Sequence, residues 1–450
     1  MSDDKTNSPQ QVKSNRLKNN LWFAYVVFLT LWAACAYFML VGMIREHKFF
    51  ALEIDQRPYI SDFVNVYNSA SLAAACLHQK IDIYSPTLQA EYANKLTAPV
   101  VAEQPFYLQY PPFLFTLVSP LAFFNMLGAW IVWCSGGIAL LIASAIALTK
   151  NAAENQVNAG ISKFTLTFII IATLASFPAW FSVRLGQTSL LLVPGLVAFW
   201  ILLHKRKNFL AGLAAGVVLV KLQYLPPVFI IGFLMGGWSF LQGFTLIGLI
   251  LLAVSILILG PENVMNFPHA LLQGESGHGV SGVSADEMQN LRGNLTLFLG
   301  DHNVLVPAIS IGAFAIGLAI LAFLWWRTSK VDLKTNTGSS LYKILASIST
   351  LLMLVLSPHC HTQDYLALVI PCIWLWFEIK NQEILGQKTK ILKCLKGLIL
   401  FFPLIGWPFF ILRFIFQFLK IQPFFLWALI VICLALSLFN KAGKQNTEMV

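Results

Sequence analysis

The sequence predicts an all-α polytopic membrane protein of about twelve transmembrane helices, with a helical loop folded over one face. Three observations carry that prediction. Apolar residues make up 57% of the 450 positions and charged residues only 11%, whereas water-soluble domains run near a quarter charged. The apolar residues gather in runs long enough to cross a bilayer. The Lys and Arg sit in short clusters between those runs, which is how orientation is written for a membrane protein. The net charge of +10 therefore does not point to nucleic acid, since no basic run is interleaved with aromatics on a soluble face.

Taken in order, a polar tail covers 1–21, and 21–44 is uncharged and long enough to span. No small-residue cleavage site follows it, so it reads as a first helix rather than a leader peptide. The spans are expected at 22–44, 127–149, 163–182, 188–203, 209–223, 225–237, 240–259, 304–325, 342–357, 365–379, 397–414 and 422–439. Segment 225–237 is short enough for a half-helix. The transmembrane domain thus occupies 22–440, before a tail at 441–450. Internal prolines such as Pro178, Pro194, Pro226, Pro371 and Pro403 suit bilayer helices whose neighbours re-satisfy the freed backbone groups.

Charge sets the orientation. With the N-terminus inside, the inner segments hold 20 of the 30 Lys and Arg but only 7 of the 20 acids, which places both termini in the cytoplasm. Lys-rich and Asn-rich inner loops suit a bacterial inner membrane. The charge pattern demands an odd number of crossings between 110 and 149, so 112–124 is expected to lie on, or dip into, the outer leaflet. The seven Cys scatter, several inside apolar runs, and no disulfide framework is expected.

Two outer loops are long, at 45–111 and 260–303. In the first, Ser61 or Asp62 would cap a helix whose Phe63, Val66, Tyr67, Ala70, Ala73 and Leu77 recur at helical spacing. A second short helix is expected over 86–96. The second long loop reads as Gly-rich surface, with the option of a mobile gate.

Chemistry-bearing residues fall at the outer ends of the spans. Asp62 serves either as a helix N-cap or as a functional carboxylate. Lys221 either snorkels to the headgroups or holds a lipid phosphate as a point charge. Arg184-Leu-Gly-Gln187 is a tight outer turn offering a forked cation and an amide. Arg292 opens the end of the second loop. Ser357-Pro-His-Cys-His-Thr-Gln-Asp364 is a polar turn between two apolar helices; the spacing of His359 and His361 is not specific for a metal, and hydrogen bonding to a sugar is the preferred reading. Under this topology all of them share one side, beneath a structured loop.

The order of these motifs resembles glycosyltransferase family 87. Asp62-Phe63 with Tyr67 and Ala70, then Ile83-Tyr84, Tyr110-Pro111-Pro112, Gly186-Gln187, Ala211-Gly212 with Gly216 and Lys221, and Ser357-Pro358 with His361 and Asp364 follow its pattern from about residue 55 to 372. The resemblance implies a GT-C-type bundle with a helical first outer loop, and inverting transfer of a sugar, of the mannosyltransferase kind, from a polyprenyl-phosphate donor at the extracytoplasmic face. It implies Asp62 as the base that takes the acceptor hydroxyl's proton. Arg184, Gln187, Lys221 and Arg292 would hold the donor's phosphate, and Tyr67, Tyr110, His359, His361 and Asp364 would face the sugar or the acceptor, a glycolipid or cell-envelope glycan. Some GT-C enzymes hold a metal with an acidic pair in the outer turn after the third helix. That turn here has no acid, so the expected chemistry uses no metal and no cofactor.

Two other readings compete. A transporter or flippase of a lipid-linked or small anionic substrate would place its ionisable groups near the midplane and often show internal repeats, and none is visible. A non-catalytic anchoring subunit would need no polar outer turns facing one cavity. Donor sugar, acceptor identity and oligomeric state have no signature in the chain.

Overall fold

The computed structural model describes residues 51–54, 57–60, 62–98, 110–154, 161–276, 288–300, 303–387, 389–411 and 422–447, with six isolated helical positions between 23 and 37. The expected first span, 22–44, lies almost wholly outside the described residues. Five described helices are long and apolar enough to cross a membrane, six if one bent pair counts as a single span. Twelve spans are not reached on that measure, because several of the expected ones are short or broken.

The first of the two long loops begins with an unforeseen feature. Strands β1 (Ala51–Ile54) and β2 (Arg57–Ile60) pair antiparallel, Ala51 opposite Ile60 and Ile54 opposite Arg57. The β-favouring Ile54, Tyr59 and Ile60 outweigh the helical pattern that begins just after them. Helix α1 (Asp62–Cys76) follows, then α2 (Pro86–Thr97), whose N-cap Ser85 accepts from the Leu88 amide. Helix α3 (Pro112–Val118) and a 3-10 turn (Ser119–Phe123) occupy the segment expected on the leaflet. One face is packed, Leu114, Val118 and Leu121 joining Phe63, Val66, Tyr67 and Ala70 of α1 in one apolar cluster, while Leu117, Phe123 and Phe124 stay exposed. Together these pieces form a cap.

The bundle proper starts with α4 (Met126–Ala153), N-capped by Asn125. Helices α5 (Lys163–Leu174) and α6 (Phe177–Leu185) meet at a 53° bend, where Pro178 in the first turn of α6 cannot extend the helix backward. Helix α7 (Ser189–His204) returns. Helix α8 (Asn208–Ala215) passes into a 3-10 turn (Gly216–Val220), so the expected helix over 209–223 breaks before Lys221, whose backbone is extended (φ −135°, ψ 89°). Lys221 therefore stands at a break and not on a helix face.

Helix α9 (Leu225–Leu259) reverses at Gly237 (φ 56°, ψ −144°). Its two arms lie side by side, since the rings of Phe229 and Phe244 are 5.6 Å apart, whereas 15 residues of straight helix would separate them by about 22 Å. The expected separation of 225–237 from 240–259 is thus a hairpin of helices. The second arm packs so tightly on α8 that a Cβ on Gly212 would sit 2.2 Å from the Phe240 carbonyl oxygen, the close approach that small residues permit between membrane helices.

The second long loop contains α10 (Pro261–Ser276) and α11 (Leu291–Leu299); the Gly-rich stretch 277–287 lies outside the described residues. Helix α12 (Leu305–Thr328) leads to α13 (Asn336–Leu356), which is buried nearly throughout. A 3-10 turn (Thr362–Leu368), α14 (Val369–Ile384), α15 (Lys390–Ile411) and α16 (Pro423–Thr447) complete the chain.

Candidate active site

Four loops converge at one end of the bundle. Helix α7 marks the axis: Gln187 and Ser189 are at its start, Lys205 at its far cap, about 24 Å away. The far end carries the basic turn Lys205-Arg206-Lys207, where Arg206 caps the Met235 carbonyl at 3.1 Å.

Asp62, the first residue of α1, accepts a hydrogen bond from the Gln187 side-chain amide. This contact depends on Gly186. Its φ of 62° is left-handed, and a Cβ there would lie 2.6 Å from the Phe63 ring, so a glycine lets the α6–α7 turn close onto α1. The indole of Trp133 fixes the same turn by donating to the Gly186 carbonyl at 2.9 Å. Burial lifts the Asp62 carboxyl from 3.8 to about 6, although Gln187 and the charge of Lys221 both pull it down. Tyr110 feels that carboxylate through space: burial, then the Asp62 charge, pushes its phenol upward.

Opposite stands Lys221. Its ammonium donates to Asp364 Oδ1 and to Ser189 Oγ at 3.2 Å, and Ser189 in turn donates to the same carboxylate oxygen at 2.9 Å. Asp364 Oδ2 accepts from the His361 amide at 3.1 Å. The Lys221 side chain is 14% exposed and Asp364 is wholly buried. Burial alone would raise the Asp364 carboxyl, but Lys221 and the other donors hold it below its ordinary value. One ammonium hydrogen of Lys221 remains beyond these two bonds, on the side chain whose charge reaches Asp62.

The late turn is built by hydrogen bonds to its backbone. Asn290 donates to Ser357 O at 2.8 Å, Arg292 to Pro358 O at 3.3 Å, and Gln223 to His359 O at 3.1 Å. Met288 forms a bridge with His361, which ties the end of the second long loop to this turn. The Nε2 atoms of His359 and His361 face each other at 2.8 Å, so one must donate and the other accept. Burial and the neighbouring His361 push His359 down to about 3, which keeps its ring neutral.

The structure thus brings Asp62, Gln187, Lys221, Tyr110, Asp364, His359, His361 and Arg292 to one region. Arg184 lies on its flank, its guanidinium 5.3 Å from the centre of the Trp180 ring. Tyr67 is turned elsewhere: its hydroxyl donates to the Phe124 carbonyl at 2.7 Å, anchoring α1 to the turn after α3. Ser189, Gln223, Asn290 and Trp133 escaped the sequence reading. Only Ser189, two positions beyond Gln187, carried a usable signal. Among the described residues no three His, Cys, Asp or Glu side chains converge as metal ligands. A small, partly open apolar cleft runs between α5, α14 and α15, lined by Phe168, Ile169, Leu366, Cys372, Trp376 and Phe402; Leu366 is two residues past Asp364.

No curated protein and no solved structure matches the chain. A family model does: residues 107–358, more than half of the length, match glycosyltransferase family 87. With an apolar bundle around this polar cluster, the chain belongs to glycosyltransferase family 87 and is a membrane glycosyltransferase.

Proposed function

We propose that the protein moves a sugar, with inversion, from a polyprenyl-phosphate donor to a glycolipid or cell-envelope glycan acceptor at the extracytoplasmic face of a bacterial inner membrane. The observation that carries this reading is the facing pair: a carboxylate lifted to about 6 across from an ammonium fixed by two partners.

Asp62 takes the proton of an acceptor hydroxyl while that oxygen forms its bond to the anomeric carbon. The bond from that carbon to the phosphate oxygen breaks, and its electron pair leaves with the polyprenyl phosphate. Attack opposite the leaving group inverts the anomeric centre. The remaining hydrogen of Lys221, with Arg184 and Arg292 on the flanks, meets the negative charge that develops on the phosphate. The ring between them acquires oxocarbenium character by analogy with glycoside cleavage, and Tyr110, His359 and His361 line its place. Asp364, being buried, positions Lys221 rather than touching substrate. The apolar cleft beside Leu366 suits an isoprenoid chain. Because polyprenyl phosphate, a phosphate monoester, leaves without a strong acid, neither a metal nor a cofactor enters this scheme.

The test is sugar release from a panel of polyprenyl-phosphate hexoses by protein in liposomes, with a membrane extract as acceptor. Wild type should consume one donor, and Asp62→Asn should bind it without turnover. A fully active Asp62→Asn protein defeats the base assignment. If every donor survives wild type while lipid-linked sugar crosses the vesicle membrane, the protein is a flippase.

A further inference from the structure

Helix α10 presents three different faces. Asn263 and Phe267 point inward: the Asn263 side chain accepts from the Ile83 amide at 3.0 Å and donates to Ile81 O at 2.9 Å, and the Phe267 ring is 6.1 Å from that of Tyr84. A second face is polar, with Glu262, Asn266 and His269 exposed one turn apart. The third is apolar and uncovered. Pro261, Met265, Pro268 and Leu272 recur at intervals of three and four, with Met265 69% and Leu272 70% exposed.

At 100° per residue the apolar and polar stripes lie about a quarter-turn apart. A helix resting in the plane of a lipid headgroup layer meets hydrocarbon below and water above in this way. Its neighbours supply the same surface. The second arm of α9 exposes Leu246, Leu249, Ile250 and Leu257, as a lipid-facing span does. That arm runs into α10 through Gly260, whose φ is 84°. The uncovered stripe therefore continues an apolar surface that already faces the bilayer.

We infer that α10 is an interfacial anchor, with Met265 and Leu272 in the acyl boundary of the leaflet nearest the Asp62 site, Glu262 and Asn266 in water, and the cap held to it from the side. The partner is the lipid surface itself. A short path links this anchor to the base: Phe267 meets Tyr84, the Tyr84 hydroxyl donates to Tyr110 O at 2.9 Å, and the charge of Asp62 reaches the Tyr110 phenol. The anchor thereby sets how far Asp62 stands from the membrane plane.

The experiment places an environment-sensitive fluorescent amino acid singly at Met265, Leu272, Glu262 and Asn266 of the full chain, reconstituted in phosphatidylethanolamine–phosphatidylglycerol vesicles. Leu257 is the lipid-facing reference and Lys205 the aqueous one. Probes at 265 and 272 should lose emission several-fold more to a lipid-borne quencher than to iodide, as at 257. Those at 262 and 266 should show the reverse, as at 205. Equal response at all four positions, whether to lipid or to iodide, overturns the inference. The two references show in the same samples that each labelled protein has inserted.

Discussion

Burial lifts the Asp62 carboxyl to about 6, and the sign of the consequence is fixed. The base must be ionised to work, so kcat/KM should fall tenfold per unit as pH drops below about 6 and level off above it. The raised value also means that the folded protein is most stable with Asp62 protonated, and loses that margin as pH climbs from 3.8 through about 6. Gln187 stabilises the ionised form, so Gln187→Ala should move the acidic limb of the pH–rate profile to higher pH. Asp364→Asn should act differently. It leaves the part-buried Lys221 ammonium against a neutral amide, and losing one member of a buried pair costs on the order of 3–5 kcal/mol, less here because Lys221 keeps some access to solvent. A lowered midpoint of thermal unfolding in detergent, together with a large loss of kcat, is expected; Ser189→Ala should lose rate with less loss of stability, because the ion pair survives. Of these residues, Asp62, Gln187, Lys221 and Asp364 were legible as polar groups stranded at the ends of apolar runs. Their pairing was not. Nothing in the spacing of Lys221 and Asp364, 143 positions apart, tells that each is the other's partner and that only one of them faces outward.

At the scale of elements, turns decide more than helices do. Helix existence could be read from the apolar runs, because a bilayer forces backbone groups to pair within the segment. The breaks were harder to read. Lys221 was expected on a continuous helix, and the stop at Gly216–Val220 depends on packing against α7 and α9 that no local pattern records. Gly186→Ala tests one such turn. A side chain there meets both a left-handed backbone and the Phe63 ring, for a cost of about 1–3 kcal/mol. It should displace Gln187 from Asp62 and reduce turnover. Gly243→Ala is the harsher change, because its Cβ would press the Phe209 carbonyl at 2.0 Å. Backbone cannot step aside as a ring can, so α8 and the second arm of α9 must separate, and the unfolding midpoint should drop by more than for Gly186→Ala.

Across the whole molecule, polarity collects at two ends. Away from the site, Lys343 and Glu378 are buried beside Ser340, Ser339, His204 and Asn151. Ser340 donates to Glu378, His204 meets Ser339 at 3.0 Å and Asn151 at 3.2 Å, and Lys343 donates to Ala152 O at 3.3 Å. Lys343→Met should destabilise by on the order of a few kcal/mol, since it leaves a buried carboxylate without its counter-charge. Adding Glu378→Gln should recover most of the loss, with donor consumption unchanged per folded molecule. Overall class was plain from composition, because few charges in 450 residues leave no alternative to lipid. The reversal near Gly237 was legible as the gap between 225–237 and 240–259, whereas the strands at 51–60 were invisible because they rest on a handful of residues whose conformation is chosen by their neighbours.

Helix α13 joins those two ends. Lys343 and Ser340 belong to its first turns, and its last turn delivers Ser357 into the loop that holds His359. It is a rod bolted at both ends inside a full sleeve, and such a rod transmits neither piston strokes nor screw motions. Room for a bulky substrate and its exit has to come from pieces that ride outside the sleeve.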